Sequence, residues 1–193
     1  MLTSAGEGGA EIYSVATKKE QAKVVWDEAK RMVKKSPVLA KRIRTLVNGL
    51  FFDKTESFFK ALASDSNSLD GLNAFFVIGD EIHAWKDKNL LDVMYDSMSA
   101  REEPLFLETS TMGHVRENVF DNEYEYSSAI IDGYEGKSGG IVDETVLPII
   151  YELNNANDWQ NELAWYQANP RTWNYKEYKR FKRQSEQSKK QSN

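Results

Sequence analysis

Ala74-Phe75-Phe76-Val77-Ile78-Gly79-Asp80-Glu81 is the stretch on which the fold turns. Its apolar residues run on without alternation, the pattern of a strand buried on both faces, as in a parallel sheet. It ends in two carboxylates. Open α/β sheets bind ligands at the carboxyl edge of their strands. Phosphoryl transfer needs a magnesium ion bridging the phosphates and a group that orients the attacking water. Asp80 suits the first task, holding the metal through water, and Glu81 suits the second. A plainer reading stands beside this one, because acids at strand ends also serve turns and helix caps.

Working outward, Glu11 to Thr17 predicts a short strand followed directly by a helix. Thr17 and Glu20 have capping-box spacing, and Ala22, Val25, Trp26, Ala29, Met32 and Val33 recur at three and four, an amphipathic stripe. Ser36-Pro37 ends this helix and can start another, with serine as cap and proline in the first turn. Ile43 to Val47 and Leu50 to Asp53 flank Asn48-Gly49, a hairpin signal because both turn positions of that type need positive φ. Phe58 to Leu62 suggests a third strand, and the polar loop Ser64 to Asn73 leads into the central run. Beyond it, Asp87 is placed to cap a helix reaching about Met98. Pro104 to Thr111 reads as a second buried strand, Glu117 to Ile131 as a helix, and Gly133 to Gly140 as a glycine-rich break. Val146 to Leu153 reads as one more strand, and Asp158 as the cap of a helix from Trp159 to Ala168 that Asn169-Pro170 stops. Strands alternating with helices predict an α/β sheet, mainly parallel, with an inserted β-hairpin.

The 193 residues suffice for one domain with a real core, and 40% hydrophobic with 28% charged residues is ordinary for a globular protein. Absence of cysteine excludes disulfides and thiolate metal sites. His83 and His114 make no zinc site without carboxylate help. No apolar run approaches the ~18 residues of a membrane span, and the first residues carry no secretory signal, so a soluble intracellular protein is expected. Charge is uneven. From Arg171 onward eight Lys/Arg face only Glu177 and Glu186, so the tail is +6 and the body −11 of the net −5. Such a tail can neutralise nucleic-acid phosphates or be a solvated end, and after Phe181 its composition, almost wholly Lys, Arg, Gln, Ser and Glu, cannot bury enough apolar surface to fold alone.

The segment after the second strand, Ser110-Thr111-Met112-Gly113, brings small hydroxyl residues to the same sheet edge, where they can sense a terminal phosphate. A simple strand-to-loop turn at Gly113 fits as well. In order and wording, Glu11 to Ala22, Ser64 to Asn73, Phe76 to Ala84, Ser110 to Gly113, Glu123 to Tyr126, Ile149 to Leu153 and Ala168 to Pro170 resemble the large terminase subunits of tailed phages with HK97-like capsids. The resemblance covers roughly Gly6 to Pro170. It implies a P-loop ATPase that drives DNA into a procapsid, using ATP and Mg2+. Double-stranded DNA, the terminase small subunit and the portal are the implied partners, with homo-oligomers possible and no membrane. It implies further that Asp80 is the Walker B aspartate that holds the metal, that Glu81 is the catalytic glutamate, and that Ser110, Thr111 and Met112 couple hydrolysis to movement. His83 follows in the same place as in relatives, and packing or a helix-start hydrogen bond suits it better than a chemical role.

Departures from the family pattern bound these expectations. No Gly-x-x-x-x-Gly-Lys-Ser/Thr pattern occurs in the sequence, so the amides and lysine that cradle phosphate are not among these residues. The expectation is a partial ATPase domain over residues 1–170, truncated before its Walker A strand and loop and inactive alone, followed by a basic polar tail over 171–193 in place of the nuclease domain. A missing strand leaves an exposed sheet edge that invites association. Gly79 stands where relatives have a large apolar residue, and Glu108 where the second buried strand should be apolar, which favours its neutral form. Two other readings stay open: a split terminase whose Walker A piece lies on a separate chain, and a non-enzymatic DNA-binding protein that uses the basic tail.

Overall fold

The stretch Ala74–Asp80 forms β5 and sits inside a six-stranded sheet. The computed structural model describes residues 2, 6–63, 69, 71–85, 88–112 and 119–191. Six strands, β1 (Glu11–Ala16), β2 (Arg44–Thr45), β3 (Leu50–Phe52), β4 (Ser57–Ala63), β5 and β6 (Leu105–Thr109), lie in the order β2-β3-β4-β1-β5-β6. The last four in that order pair in parallel, while β2 and β3 are added antiparallel at the β4 side. The sheet is therefore mainly parallel, with the hairpin at one end.

Each face is covered by helices for a reason visible in the side-chain pattern. On one face α1 (Lys19–Lys35) buries Ala22, Trp26 and Val33, and the last two pack with Ile12, Leu50 and Phe59. On the other, α3 (Asn89–Met98) buries Leu90, Leu91, Met94 and Met98 against Tyr13, Val15, Val77 and Trp85. Val119, which opens α4 (Val119–Tyr134), joins that second cluster. Ser36 ends α1, and its hydroxyl accepts from the Leu39 amide to cap the short α2 (Pro37–Ala40), the dual role its Ser-Pro sequence predicts.

Several local expectations are corrected. The capping box does not form: Lys18 occupies the cap of α1 without a side-chain bond, and the Thr17 hydroxyl meets Gln21 Oε1 at 3.2 Å instead. Met32 is 59% exposed, because the stripe buries only the turns that face the sheet. The hairpin exists, but neither Asn48 nor Gly49 has positive φ. Its turn closes from the Leu46 amide to the Gly49 carbonyl at 2.9 Å. Glycine is needed there for space, since a Cβ on residue 49 meets the Phe51 ring at 2.8 Å. β6 is not a buried strand but an edge, with Leu105 44% and Leu107 45% exposed. Asp87, in the cap predicted before α3, lies outside the described residues, as do Ser64 to Ser68, Asp70, Gly113 and His114.

The chain divides into two compact units, Met1–Tyr126 and Ser127–Asn193. The second contains the end of α4, a close turn in which the Ile141 amide reaches the Ala129 carbonyl, and the helices α5 (Glu162–Ala168) and α6 (Tyr175–Gln191). Residues 146–153 form no strand. A strand needs a partner ladder, Pro148 has no amide to give one, and Leu147, Ile149 and Tyr151 are exposed. Asp158 falls inside a 3-10 turn, Ala156–Gln160, and Asn161 caps α5, accepting from the Leu163 amide at 3.1 Å.

Candidate functional site

The carboxyl ends of β5 and β6 lie side by side, because the register pairs Asp80 with Thr109. Thr109 Oγ1 donates to Asp80 Oδ1 at 2.8 Å, and the Glu81 amide donates to the same oxygen at 3.1 Å. Two donors on one carboxylate oxygen fix the direction of the Asp80 side chain. The chain then turns sharply. Glu81 has φ 54° and ψ 51°, the left-handed region, which costs a non-glycine residue of order 1 kcal/mol and persists only where its surroundings impose it. The imposing contacts are close by. A 3-10 turn, Ile82–Ala84, begins immediately, and Ile82 and Trp85, each 1% exposed, anchor it in the core. The Trp85 indole donates to the Asp80 carbonyl at 3.2 Å.

Gly79 makes this closure possible. A Cβ there meets Ile82 Cδ1 and Phe106 Cε2 at 3.0 Å and Trp85 Cη2 at 3.2 Å. The glycine that looks like a weak point in the strand is thus the space that Trp85 occupies beneath the acidic pair.

His83 ties the pair to β6. Its backbone amide donates to Ser110 Oγ at 3.0 Å, and its ring Nδ1 stands 3.3 Å from that oxygen. Ser110 donates its single hydroxyl proton to the Thr111 carbonyl at 3.0 Å, so the ring contact requires Nδ1 to be the donor. The same Nδ1 lies 3.0 Å from Glu81 Oε2. That oxygen is shielded from solvent and makes no directed hydrogen bond. Glu81 therefore keeps one carboxylate oxygen buried beside the His83 ring, while its side chain as a whole is 40% exposed and leaves carboxylate surface open at the sheet edge.

Five predicted positions can be placed. Asp80, Glu81 and Ser110 converge through His83 and Thr109. Thr111 joins only through its carbonyl, and Met112 is 58% exposed. Thr109 and His83 were not predicted as site residues. Thr109 could have been found by setting the two strand ends in register; the role of His83 depends on a left-handed turn that no sequence pattern announces. Arg101 lies at the other end of the sheet. Its side chain is 8% exposed, pairs with Glu7 at 3.2 Å and donates to the carbonyls of Gly9 and Asn73 at 2.7 and 2.9 Å. It binds together the entries to β1 and β5.

Among the described residues no cluster of three or more His, Asp or Glu could cage a metal. Magnesium does not require one, since it commonly takes one or two carboxylates and completes its shell with water and phosphate oxygens. Asp80, oriented at a sheet edge, fits that demand. Glu108 is a separate feature. It faces α3 from β6, accepts from Tyr95 Oη at 3.1 Å, and burial together with the Glu123 charge pushes its carboxyl up to about 7.

Comparison with known proteins bears on the family and the fold. The profile described as "Terminase large subunit, ATPase domain" matches residues 1–129. Among solved structures, the HK97 bacteriophage large terminase superposes with a TM-score of 0.75 at 23% identity, covering 95% of this chain and 37% of that one. At that identity the likeness concerns the fold, and the chain spans little more than a third of the longer protein. No curated protein matches. Two thirds of the residues fall within the profile, and the chain belongs to the family of terminase large subunit ATPase domains.

Proposed function

We propose that this chain carries the metal-holding and water-orienting half of the nucleotide site in an ATP-driven DNA-packaging motor. The observation that supports it is the convergence of Asp80, Glu81, Thr109 and Ser110 at one sheet edge, held by a strained residue at Glu81. Strain fixed by its surroundings is a mark of functional sites. Asp80 would hold a magnesium ion there, which would supply neutralisation of the phosphate charge. Asp80 holds its carboxylate toward that position, steadied by Thr109. Glu81 orients a water through the exposed part of its carboxylate, while Nδ1 of His83, 3.0 Å from the buried oxygen, keeps that carboxylate turned to the edge. Ser110, linked to His83, registers a change at the phosphate side and passes it to β6. Thr111 contributes a hydroxyl next to it, and Ser110 and Thr111 complete the contact with nucleotide.

A phosphate-cradling loop of the Gly-x-x-x-x-Gly-Lys-Ser/Thr type is not encoded in residues 1–193. On this reading it comes from residues outside this sequence, within a longer polypeptide or on a second chain. The exposed edge of β6 favours such completion, because a parallel edge with exposed Leu105 and Leu107 can accept another strand. DNA, the small subunit and the portal are the partners this role calls for, and the cytoplasm of an infected bacterium its place of action.

The test is Mg2+-dependent ATP hydrolysis by the purified chain, alone and mixed with a polypeptide carrying the phosphate loop and its strand. The chain alone is expected to show no turnover, and the mixture to hydrolyse ATP. Glu81→Ala and Asp80→Ala are each expected to lower that turnover at least 100-fold, about 3 kcal/mol in barrier. Turnover by the mixture that survives both substitutions would exclude this assignment.

A further inference from the structure

The helix α6 is divided lengthwise. Tyr178, Phe181, Lys182 and Ser185 are half-buried, whereas Lys179, Arg180, Arg183, Gln184, Glu186 and Gln187 are exposed. Spacings of three and four put each set on its own side of a helix. The inner side is anchored. The Tyr178 ring stacks on Tyr166 with planes 2° apart and lies 6.4 Å from the Trp165 ring. The Tyr178 hydroxyl donates to Glu162, and Lys182 Nζ pairs with Glu162 at 3.0 Å. These contacts tie α6 to α5 and set its rotation about its own axis. Lys182 is paired with Glu162 on the anchored side, with its side chain 45% exposed. On the outer side Lys179, Arg180, Arg183, Gln184 and Gln187 line an open concavity.

We propose that this outer face of α6 binds the phosphate backbone of duplex DNA, without reading base sequence. Lys179, Arg180 and Arg183 put three cations within about 6 Å of helix axis, against a polymer with one charge per ~1.7 Å. Arginine forks and glutamine amides both donate to phosphate oxygens, and such contacts position a protein on DNA without specifying sequence. A membrane surface suits this helix less, since a helix lying on lipid needs its apolar side outward, and Tyr178 and Phe181 face the unit instead. The choice of DNA among polyanions rests on the packaging role proposed above.

The experiment is fluorescence anisotropy with a labelled 30-bp duplex, titrated with the full chain over a range of salt and without nucleotide. Binding is expected to weaken with salt. The variant Lys179→Gln/Arg180→Gln/Arg183→Gln keeps good helix formers in place. It is expected to bind at least tenfold more weakly at low salt, with the log–log salt slope flatter by about 2 to 3, from ~0.9 per phosphate neutralised. The control Lys23→Gln/Lys34→Gln/Lys35→Gln removes the same charge from α1 and is expected to retain the slope. Circular dichroism confirms that both variants fold. The proposal is overturned if the chain does not bind duplex DNA, if the α6 variant binds like the parent, if both variants lose affinity equally, or if anionic vesicles are bound in preference to DNA. ATP hydrolysis is read in a separate assay, so either reading can fail while the other stands.

Discussion

β5 and β6 are neighbours, parallel, and in register from Phe76 opposite Leu105 to Asp80 opposite Thr109. Both are apolar runs, yet their surroundings differ. β5 has a strand on each side, and Val77 and Ala74 are 0% exposed. Among the described residues β6 has a partner on one side only, and its Leu105 and Leu107 face outward while Phe106 and Glu108 turn toward α3. Hydrophobicity therefore marks a segment as fit for a sheet without counting the strands beside it. The difference also has a functional side. The enclosed β5 delivers the acidic pair, and the less enclosed β6 delivers Ser110, the group proposed to respond to it.

The largest expected effect tests this contrast directly. Val77→Asp buries an unpaired charge and is expected to cost more than about 4 kcal/mol, enough to unfold a marginal domain. Leu107→Asp, on the exposed side of β6, is expected to stay within about 0.5 kcal/mol. Urea denaturation midpoints of the two variants measure the gap. Equal losses would mean that β6 is covered in solution, by a further strand or by another copy of the chain.

The same contrast explains how much the sequence disclosed. β1 and β5 were legible because uninterrupted apolar runs have few other uses, and the hairpin because two apolar segments flank a polar pair. The start of α2 at Ser36-Pro37 was legible because a cap and a fixed φ act locally. What failed depended on neighbours. Pro104 to Thr111 looked interior because no pattern within it says where the sheet ends. Val146 to Leu153 has strand composition but no ladder to join. Asn48-Gly49 suggested a turn with positive φ that does not form, and the crowding by the Phe51 ring that leaves no room for a Cβ at residue 49 is visible only in the folded hairpin. At the site, Asp80 and Glu81 were marked by their place at a strand end. Thr109 and His83 acquire their roles only when β5 and β6 are laid side by side.

A smaller effect should appear in the pH dependence of stability. The Glu108 carboxyl is raised to about 7 by burial first and by the Glu123 charge second, with Tyr95 hydrogen bonding opposing them. Glu123 is itself raised by burial, against the pull of Lys88. A carboxyl that titrates higher in the fold than in the unfolded chain holds its proton longer when folded. Between about pH 4.5 and 7 the folded state thus binds more protons, and stability falls as pH rises through that window. Discounted for partial solvation, the Glu108 share is on the order of 1–2 kcal/mol. Glu108→Gln should flatten that part of the profile and leave the protein more stable than the parent at pH 8. An unchanged slope between pH 5 and 7 would show that Glu108 is solvated, and that β6 is even more open than its inner side suggests.

The smallest effect concerns the space beneath the acidic pair. Gly79→Ala places a methyl 3.0 Å from Ile82 and Phe106 and 3.2 Å from Trp85, close enough that these neighbours must shift by a few tenths of an ångström. The expected cost is about 1 kcal/mol, at the low end of overpacking. Trimming Trp85 to Phe removes the nearest indole atoms and relieves part of the clash, though it also removes the bond to the Asp80 carbonyl. The two changes should therefore not add. The double variant is expected to be more stable than the sum of the single losses predicts, by about 0.5–1 kcal/mol, since residues in contact couple by such amounts. Strict additivity would mean that Trp85 does not fill the space above Gly79. The left-handed turn at Glu81 would then lose one of its supports, and with it one reason for β5, rather than β6, to carry the fixed half of the site.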